Sequence, residues 1–330
     1  MSSGFPLPRS LSLLSAVALL TAACGGSGGS PSQPPPEDPT APIAVPAKGT
    51  AATLDVGTWN VEWFGDPGNG PSDEALQAAR VRDVIKGMEL DVWGLQEVVG
   101  ASAFTQLLGT LPGYAGFLAN DPLVEGGAAS YSDFGNQEQK VAFVYRTSVV
   151  QVTGARIILA AWDYAFAGRP PLEVRIRATV GGATVDGVVV VLHAKAGADV
   201  ESRDRRASGA EVLEGYLDAT WPDTPVWVIG DFNDDVDTSI LAGQPSPYAN
   251  FVTSAAWSFP TGALSASGVT STLGYADMID HHLISDEVLD RYQAGSAEAY
   301  RVDGYIPKYG ESTSDHLPVL TRYTLAGAAR

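Results

Sequence analysis

Between Leu54 and Thr324 the chain keeps returning to one device, a short and strongly apolar run that ends in polar residues. It occurs at Thr58-Trp59-Asn60-Val61-Glu62, Leu95-Gln96-Glu97-Val98, Leu192-His193-Ala194-Lys195, Ile229-Gly230-Asp231-Phe232-Asn233 and Ser314-Asp315-His316-Leu317-Pro318. Met278-Ile279-Asp280-His281 is a related string inside an apolar run. Short runs of this kind read as buried strands, and helical periodicity lies between several of them. Alternating strands and helices place the chain in the α/β class. In such sheets ligands gather outside the strand ends, where a buried strand gives a rigid mount for a functional side chain.

The individual elements follow the same logic. Leu54 to Val61 alternates and is rich in Val, Thr and Trp, as a half-buried strand is. Ser72-Asp73-Glu74 starts a helix that carries Leu76, Val81, Val84, Ile85 and Met88 at helical spacing. Further strands are expected at Val92 to Leu95, Val141 to Tyr145, Val174 to Val180, Val185 to His193, Val226 to Ile229, Met278 to Ile284 and Val319 to Thr324, and a second helix at Asp199 to Thr220. Two long connections, Asn120 to Gln137 and Ala242 to Gly274, hold Tyr131, Phe134, Trp257 and Phe259, which either stack on a substrate or pack the loops themselves.

Collected from the strand ends, the polar groups are Asn60, Glu97, His193, Asp231, Asn233, Asp280, Asp315 and His316. Hard oxygen donors with two imidazoles and no thiol favour Mg²⁺, with Mn²⁺ as a substitute. Hydrolysis of a phosphate ester needs neutralised non-bridging oxygens, an activated water in line and a stabilised leaving oxygen, and this inventory serves all three. Neighbours on a strand face opposite ways, so His316 is not oriented by Asp315, and Asp280 is the expected partner. Lys195, two residues beyond His193, is a candidate substrate-binding group on the same face. Asp234, Asp235 and Asp237 read as a solvated acidic run rather than a second cation site. Arg203, Arg205 and Arg206, interleaved with Asp199, Glu201 and Asp204, read as ion pairs on a wet helix face. His281 and His282 read as packed or surface residues.

The strings TWNVEWF, GLQEV, KVAFVYR, LHAKA, IGDFND, MIDHHLIS and TSDHLPV, in this order, resemble the endonuclease/exonuclease/phosphatase superfamily, which includes deoxyribonuclease I. The likeness runs from Leu54 to Tyr323 and is carried by GDFN with SDHLPV far downstream, together with the upstream WN and QE. It implies a four-layered α/β sandwich, two mixed sheets packed face to face with helices outside. It also implies Glu97 as principal metal ligand with Asn60 and Asp315 beside it, Asp231 and Asn233 orienting water and phosphate, and His316 with Asp280 as a base or phosphate-clamping pair. His193 matches the histidine that protonates the leaving oxygen in the deoxyribonuclease branch. The acidic partner found there aligns with Gln139, next to Glu138.

The amino terminus has its own signal. Arg9 precedes an apolar run from Leu11 to Ala23, shorter than the ~20 residues that span a bilayer, and Thr21-Ala22-Ala23-Cys24 places small residues before the chain's one cysteine. This pattern predicts a lipoprotein signal over residues 1–23, lipidation at Cys24, a Gly/Ser/Pro-rich tether over 24–50 and a catalytic domain over 51–330. Thr21 departs from the usual Leu of such signals, so the alternative is an ordinary secretory signal. A single cysteine excludes an internal disulfide framework and Cys-based metal sites. Lys+Arg 20 against Asp+Glu 38 and a net charge of -18 argue against tight grip on nucleic acid by bulk charge, because such grip comes from Lys and Arg displacing counterions. The expectation is therefore an exported, lipid-anchored, monomeric Mg²⁺-dependent phosphodiesterase of the cell envelope, at the outer membrane or cell surface, cleaving DNA. The alternatives are a same-fold phosphoesterase for a smaller substrate, such as a sphingomyelin-like headgroup, an inositol phosphate or a phosphomonoester, and a non-catalytic binding module.

Overall fold

A computed structural model describes residues 38–131 and 138–326. The signal segment, Cys24 and Phe134 lie outside the described residues. In chain order the strands are β1 (Leu54–Phe64), β2 (Val92–Val98), β3 (Tyr114–Leu118), β4 (Val124–Glu125), β5 (Lys140–Arg146), β6 (Val150–Ile157) and β7 (Leu172–Val180). They continue as β8 (Ala183–His193), β9 (Val226–Asp231), β10 (Trp257–Ser258), β11 (Asp280–Ser285), β12 (Glu298–Ala299) and β13 (Val319–Tyr323). Among the described residues the helices of nine residues or more are α1 (Glu74–Met88), α2 (Ala101–Gly109) and α3 (Val200–Thr220).

One sheet has the order β12-β13-β1-β2-β5-β3 and the other β10-β11-β9-β8-β7-β6-β4. Both are mixed, since β1 with β2 and β8 with β9 run parallel among antiparallel neighbours. Side-chain parity then builds the layers. On β8, Val189 and Val191 join Val56, Val92, Phe143, Trp227 and Ile229 in a core between the sheets, while Val188, Val190 and Leu192 turn outward against Leu213 and Leu217 of α3. The outer face of the first sheet, with Trp59, Val61 and Leu95, packs on Val81, Val84, Ile85 and Met88 of α1. Helix, sheet, sheet, helix is the four-layered α/β sandwich expected from the sequence.

Several elements went unannounced. α2 follows Gly100, which offers no side-chain cap, so the usual start signal is missing. β6 contains Gly154 and a register shift between Val152 and Gly154, which blurs its alternation. Within the connection Ala242 to Gly274 lie short helices and β10, and its aromatic residues fill the loop: Trp257 is buried against Phe251, and Phe259 meets Phe232 and His281 edge-on. Tyr131 is likewise buried and donates to the Pro170 carbonyl at 2.8 Å. The compact body begins at Pro39 rather than at 51. Ile43 N donates to Asp83 Oδ2 at 2.9 Å, Arg80 Nη1 donates to the Ala41 carbonyl at 2.9 Å, and Val45 is buried against the α1 end. Apolar Ile43 and Val45 inside a Pro-rich stretch are what make this strap adhere.

Gly230 explains itself by position. A Cβ there would collide with the carbonyl oxygen of Leu192 on the neighbouring strand, so the pairing of β8 with β9 requires glycine. Gly230→Ala is expected to lower stability by about 1–3 kcal/mol in denaturant unfolding, and an unchanged midpoint would show that the strands can part without cost.

Candidate functional site

The same parity that builds the core carries polar groups to one end of it. Positions 189, 191 and 193 of β8 share the inner face, as do 227, 229 and 231 of β9 and 284, 282 and 280 of β11, so His193, Asp231 and Asp280 all face the gap between the sheets. Register aligns them in a row: His193 pairs with Asp231, and Asp231 with Asp280. From the opposite sheet, Asn60 donates Nδ2 to Asp231 Oδ2 at 3.1 Å and to Glu97 Oε1 at 3.0 Å. Glu97, one residue before the end of β2, has φ 60°, a left-handed conformation that a regular β-ladder does not supply, and its Oε2 accepts from Trp63 N at 3.1 Å.

His316 arrives from the loop before β13. Its carbonyl accepts from Trp59 Nε1 at 3.1 Å and from the Tyr309 hydroxyl at 2.6 Å, and Ser314 Oγ ties that loop to the Asn60 carbonyl at 2.7 Å. Its ring nitrogen Nδ1 lies 2.8 Å from Asp280 Oδ2, the partnership expected from the sequence, while Asp315 sits 3.9 Å from Nε2. Burial alone would lower the His316 pKa, but the charge and hydrogen bond of Asp280, with Asp231 beyond, hold it well above its ordinary value. Burial and the Asp280 charge push Asp231 up to about 7. His193 goes the other way: burial, then the nearby charges of Arg169 and His316, hold it well below its ordinary value. Its Nδ1 has no hydrogen-bond partner among the described residues. Gln139, aligned with the missing acid, instead accepts from Arg169 Nη1 at 2.5 Å.

Glu97, His193, Asp231, Asn233, Asp315 and His316 line a cleft of about 490 Å³, with Asn60 and Asp280 buried behind it. Lys195 does not line it. β8 ends at His193, so strand parity no longer governs Lys195, whose Nζ donates to the Ala196 carbonyl at 2.6 Å. Trp63, Gln139, Arg169, Tyr275 and Asp277 also line the cleft. Arg169 went unnoticed because it sits in a loop before Pro170 with no patterned string around it. Asp234 and Asp235 are buried, and Asp234 pairs with a buried Arg206 at 2.6 Å, which corrects both the solvated-run and the wet-face readings. Arg203 and Arg205 do pair locally, with Asp204 at 3.1 Å and Glu201 at 3.8 Å. His281 and His282 are buried on opposite faces of β11, against Phe232 and beside Thr321 respectively.

A further acid belongs here. Glu62 stands two residues beyond Asn60, where the backbone turns left-handed at φ 47° and strand alternation no longer signals a facing, and its Oε2 is buried without a hydrogen-bond partner among the described residues. Burial, the charge of Asp315 and that of Glu97 push Glu62 up to about 7. Glu97, Asp315 and Glu62 interact through their charges and are hard oxygen donors of the kind a divalent cation takes. Asp231, Asp280 and His316 also place ligand atoms within 4.8 Å of one another; there Asp231 Oδ2 accepts from Asn60 and Asp280 Oδ2 meets His316 Nδ1, while Asp280 Oδ1 has no hydrogen-bond partner among the described residues. A cation favours the ionised form of Glu62, so Mn²⁺ affinity measured by calorimetry is expected to rise as pH goes from about 6 to 8, with proton release below about 7. Glu62→Gln removes that dependence; equal pH profiles in both proteins would place Glu62 away from the ion.

The Endonuclease/Exonuclease/phosphatase family model matches residues 57–316. No curated protein matches the chain. Among solved structures, zebrafish (D. rerio) TDP2 complexed with single strand DNA product is 14% identical, with 82% of this chain and 99% of that one covered at a TM-score of 0.57. The human Nocturnin catalytic domain with bound sulfate anion is 18% identical, covering 82% and 94% at 0.56. A Bacteroides thetaiotaomicron mannosyl-6-phosphatase is 17% identical, covering 81% and 98% at 0.53. At these identities the likeness is one of fold.

Proposed function

The chain belongs to the endonuclease/exonuclease/phosphatase family and is a hydrolase of phosphate esters, and from that premise we propose that it is an exported, monomeric, Mg²⁺-dependent phosphodiesterase that cleaves DNA. The observation that carries the reading is the row His193, Asp231, Asp280 facing Glu97 and Asn60 across the mouth of the sandwich, with His316 clamped to Asp280. When bound by Glu97 with Asn60, Glu62 and Asp315 beside it, the cation supplies charge neutralisation on the non-bridging phosphate oxygens. Asp231, pushed up to about 7, is matched to taking a proton from the attacking water at neutral pH. Asn233 orients the phosphate; its backbone at φ 53° is locked by its N–H to Asp231 Oδ1 at 2.8 Å. His316, protonated because Asp280 holds it so, offers Nε2–H to a phosphate oxygen. Held neutral, His193 enters as a hydrogen-bonding group rather than as a standing acid, 3.6 Å from Asp231 and 3.8 Å from Glu97.

A second reading keeps the chemistry and changes the substrate. Arg169 is the only Lys or Arg among the described residues lining the cleft, and the net charge is -18, so a polyanion gains little outside the reacting phosphate. A small phosphodiester or phosphomonoester suits such a cleft. DNA is supported by the match of His193 to the deoxyribonuclease branch and by the fold shared with a TDP2 that was solved with single strand DNA product.

The full chain, offered plasmid DNA, RNA, sphingomyelin, a phosphomonoester and a chromogenic phosphodiester, is expected to nick DNA with Mg²⁺ and to stop with EDTA. Turnover of the small esters alone would replace DNA as substrate, and EDTA-insensitive turnover would remove the metal. Glu97→Gln and His316→Ala are each expected to lower kcat by about 10²–10⁴-fold; activity close to wild type in either would overturn the assignment. The run Leu11 to Ala23 before Cys24 supports export with a lipid anchor. Cys24→Ser is expected to move the protein from the membrane fraction to the soluble one, and a variant that remains in the membrane fraction would show that no lipid at Cys24 holds it.

A further inference from the structure

One charged side chain of α3, that of Arg206, has no part in the chemistry above, yet it is enclosed close to it. The side chains of Arg206 and Asp234 are both 0% exposed and meet at 2.6 Å. Withdrawing two charges from water costs about what their attraction returns, and an apolar pair of equal volume fills a core as well. Stability alone is therefore a poor account of the pair.

Its hydrogen bonds point to a different account. Arg206 Nη1 donates to the carbonyls of Lys195 at 2.6 Å and Gly197 at 2.8 Å, in the segment that follows His193. Nε and Nη2 donate to Asp234 Oδ2 at 3.0 and 2.6 Å, in the segment that follows Asn233. Asp234 in turn accepts from Ser239 Oγ at 2.9 Å and from Ile240 N at 2.7 Å. Gly197 and Ile240 line the cleft; Arg206 and Asp234 do not. One guanidinium thus holds two cleft-forming loops from outside the cleft. Beyond the strand pairing of His193 with Asp231, these segments are also tied directly by Ala194 N to the Asp231 carbonyl at 2.9 Å and by Asn233 Nδ2 to the Ala194 carbonyl at 3.2 Å. Only the rigid fork of arginine serves these separate acceptors from one place; lysine keeps the charge and loses the geometry.

We propose that the Arg206–Asp234 ion pair is a positioning device for the hydrolysis, setting the separation of the His193 and Asn233 loops and so the placement of the phosphate between them. The proposal rests on the phosphodiesterase reading above. Small misplacements of reacting groups cost rate before they cost binding, so the effect belongs in kcat.

In the full chain, Arg206→Lys is expected to unfold cooperatively and to lower kcat on a chromogenic phosphodiester by about 10- to 100-fold, with KM and Mn²⁺ affinity within about threefold of wild type. The double variant Arg206→Met with Asp234→Leu refills the volume without charge. It is expected to regain most of the melting temperature while kcat stays low, a separation that a purely structural tie does not produce. If either folded variant keeps kcat within about threefold of wild type, or if both lose cooperative unfolding, the pair is a structural tie and the proposal is overturned. A wild-type chain that hydrolyses no phosphate ester with Mg²⁺ or Mn²⁺ overturns the functional reading, and this inference with it, whereas an active wild type beside equally active variants overturns this inference alone.

Discussion

Everything at the site depends on the pairing of β9 with β8 on one side and β11 on the other. That ladder puts His193, Asp231 and Asp280 side by side on the inner face of a sheet, where hydrogen-bonded strands hold them about 4.8 Å apart. Gly230 permits the pairing because the Leu192 carbonyl occupies the space of a Cβ. The facing sheet delivers Asn60 and Glu97 across the gap, and hydrogen bonds from Asn60 to Glu97 and Asp231 bridge the two sheets at their mouth. A row of acids and imidazoles in so enclosed a place cannot all hold their ordinary charge states. Asp231 moves up, His193 moves down, and His316 is held protonated by Asp280.

This electrostatic sorting distinguishes the chain from the deoxyribonuclease pattern it resembles. In place of an acid beside His193 there is Gln139, and Arg169 comes with it, its Nη1 on Gln139 and its Nη2 on the Ala194 carbonyl at 2.8 Å. Positive charge on this side of the cleft is then carried by Arg169, while His193 is held neutral. Arg169 is half-buried, and desolvation lowers its pKa while Glu97 and Asp231 support its charge. The site sets one half-buried guanidinium and one imidazolium against crowded carboxylates, which are hard oxygen donors of the kind a divalent cation takes.

How much of this was legible in the sequence divides along the reach of local rules. Strand parity and apolar runs announced Asn60, Glu97, His193, Asp231, Asn233, Asp280, Asp315 and His316, and the requirement that adjacent strand residues face apart led to Asp280 rather than Asp315 as the partner of His316. The same parity extended too far at Lys195, because β8 had already ended. Parity lapses at Glu62 as well, where the backbone turns left-handed and the register of β1 shifts. Arg169 and the Arg206–Asp234 pair had no local signature: a loop arginine before a proline and a basic residue in a mixed-charge helix look the same whether they face water or a core.

The sequence by itself determined the fold class and which residue types stand at the strand ends, since periodicity and residue type act over a few neighbours and are written in order along the chain. Charge states, the engaged Gln139, the strap from Pro39 and the burial of Arg206 were decided only by the tertiary structure. Each depends on the distance between groups far apart in the chain, such as Arg206 and Asp234 or Asn60 and Asp231, and on how much water is left between them. Coulombic interaction and desolvation depend on that distance and that water, which no local pattern records.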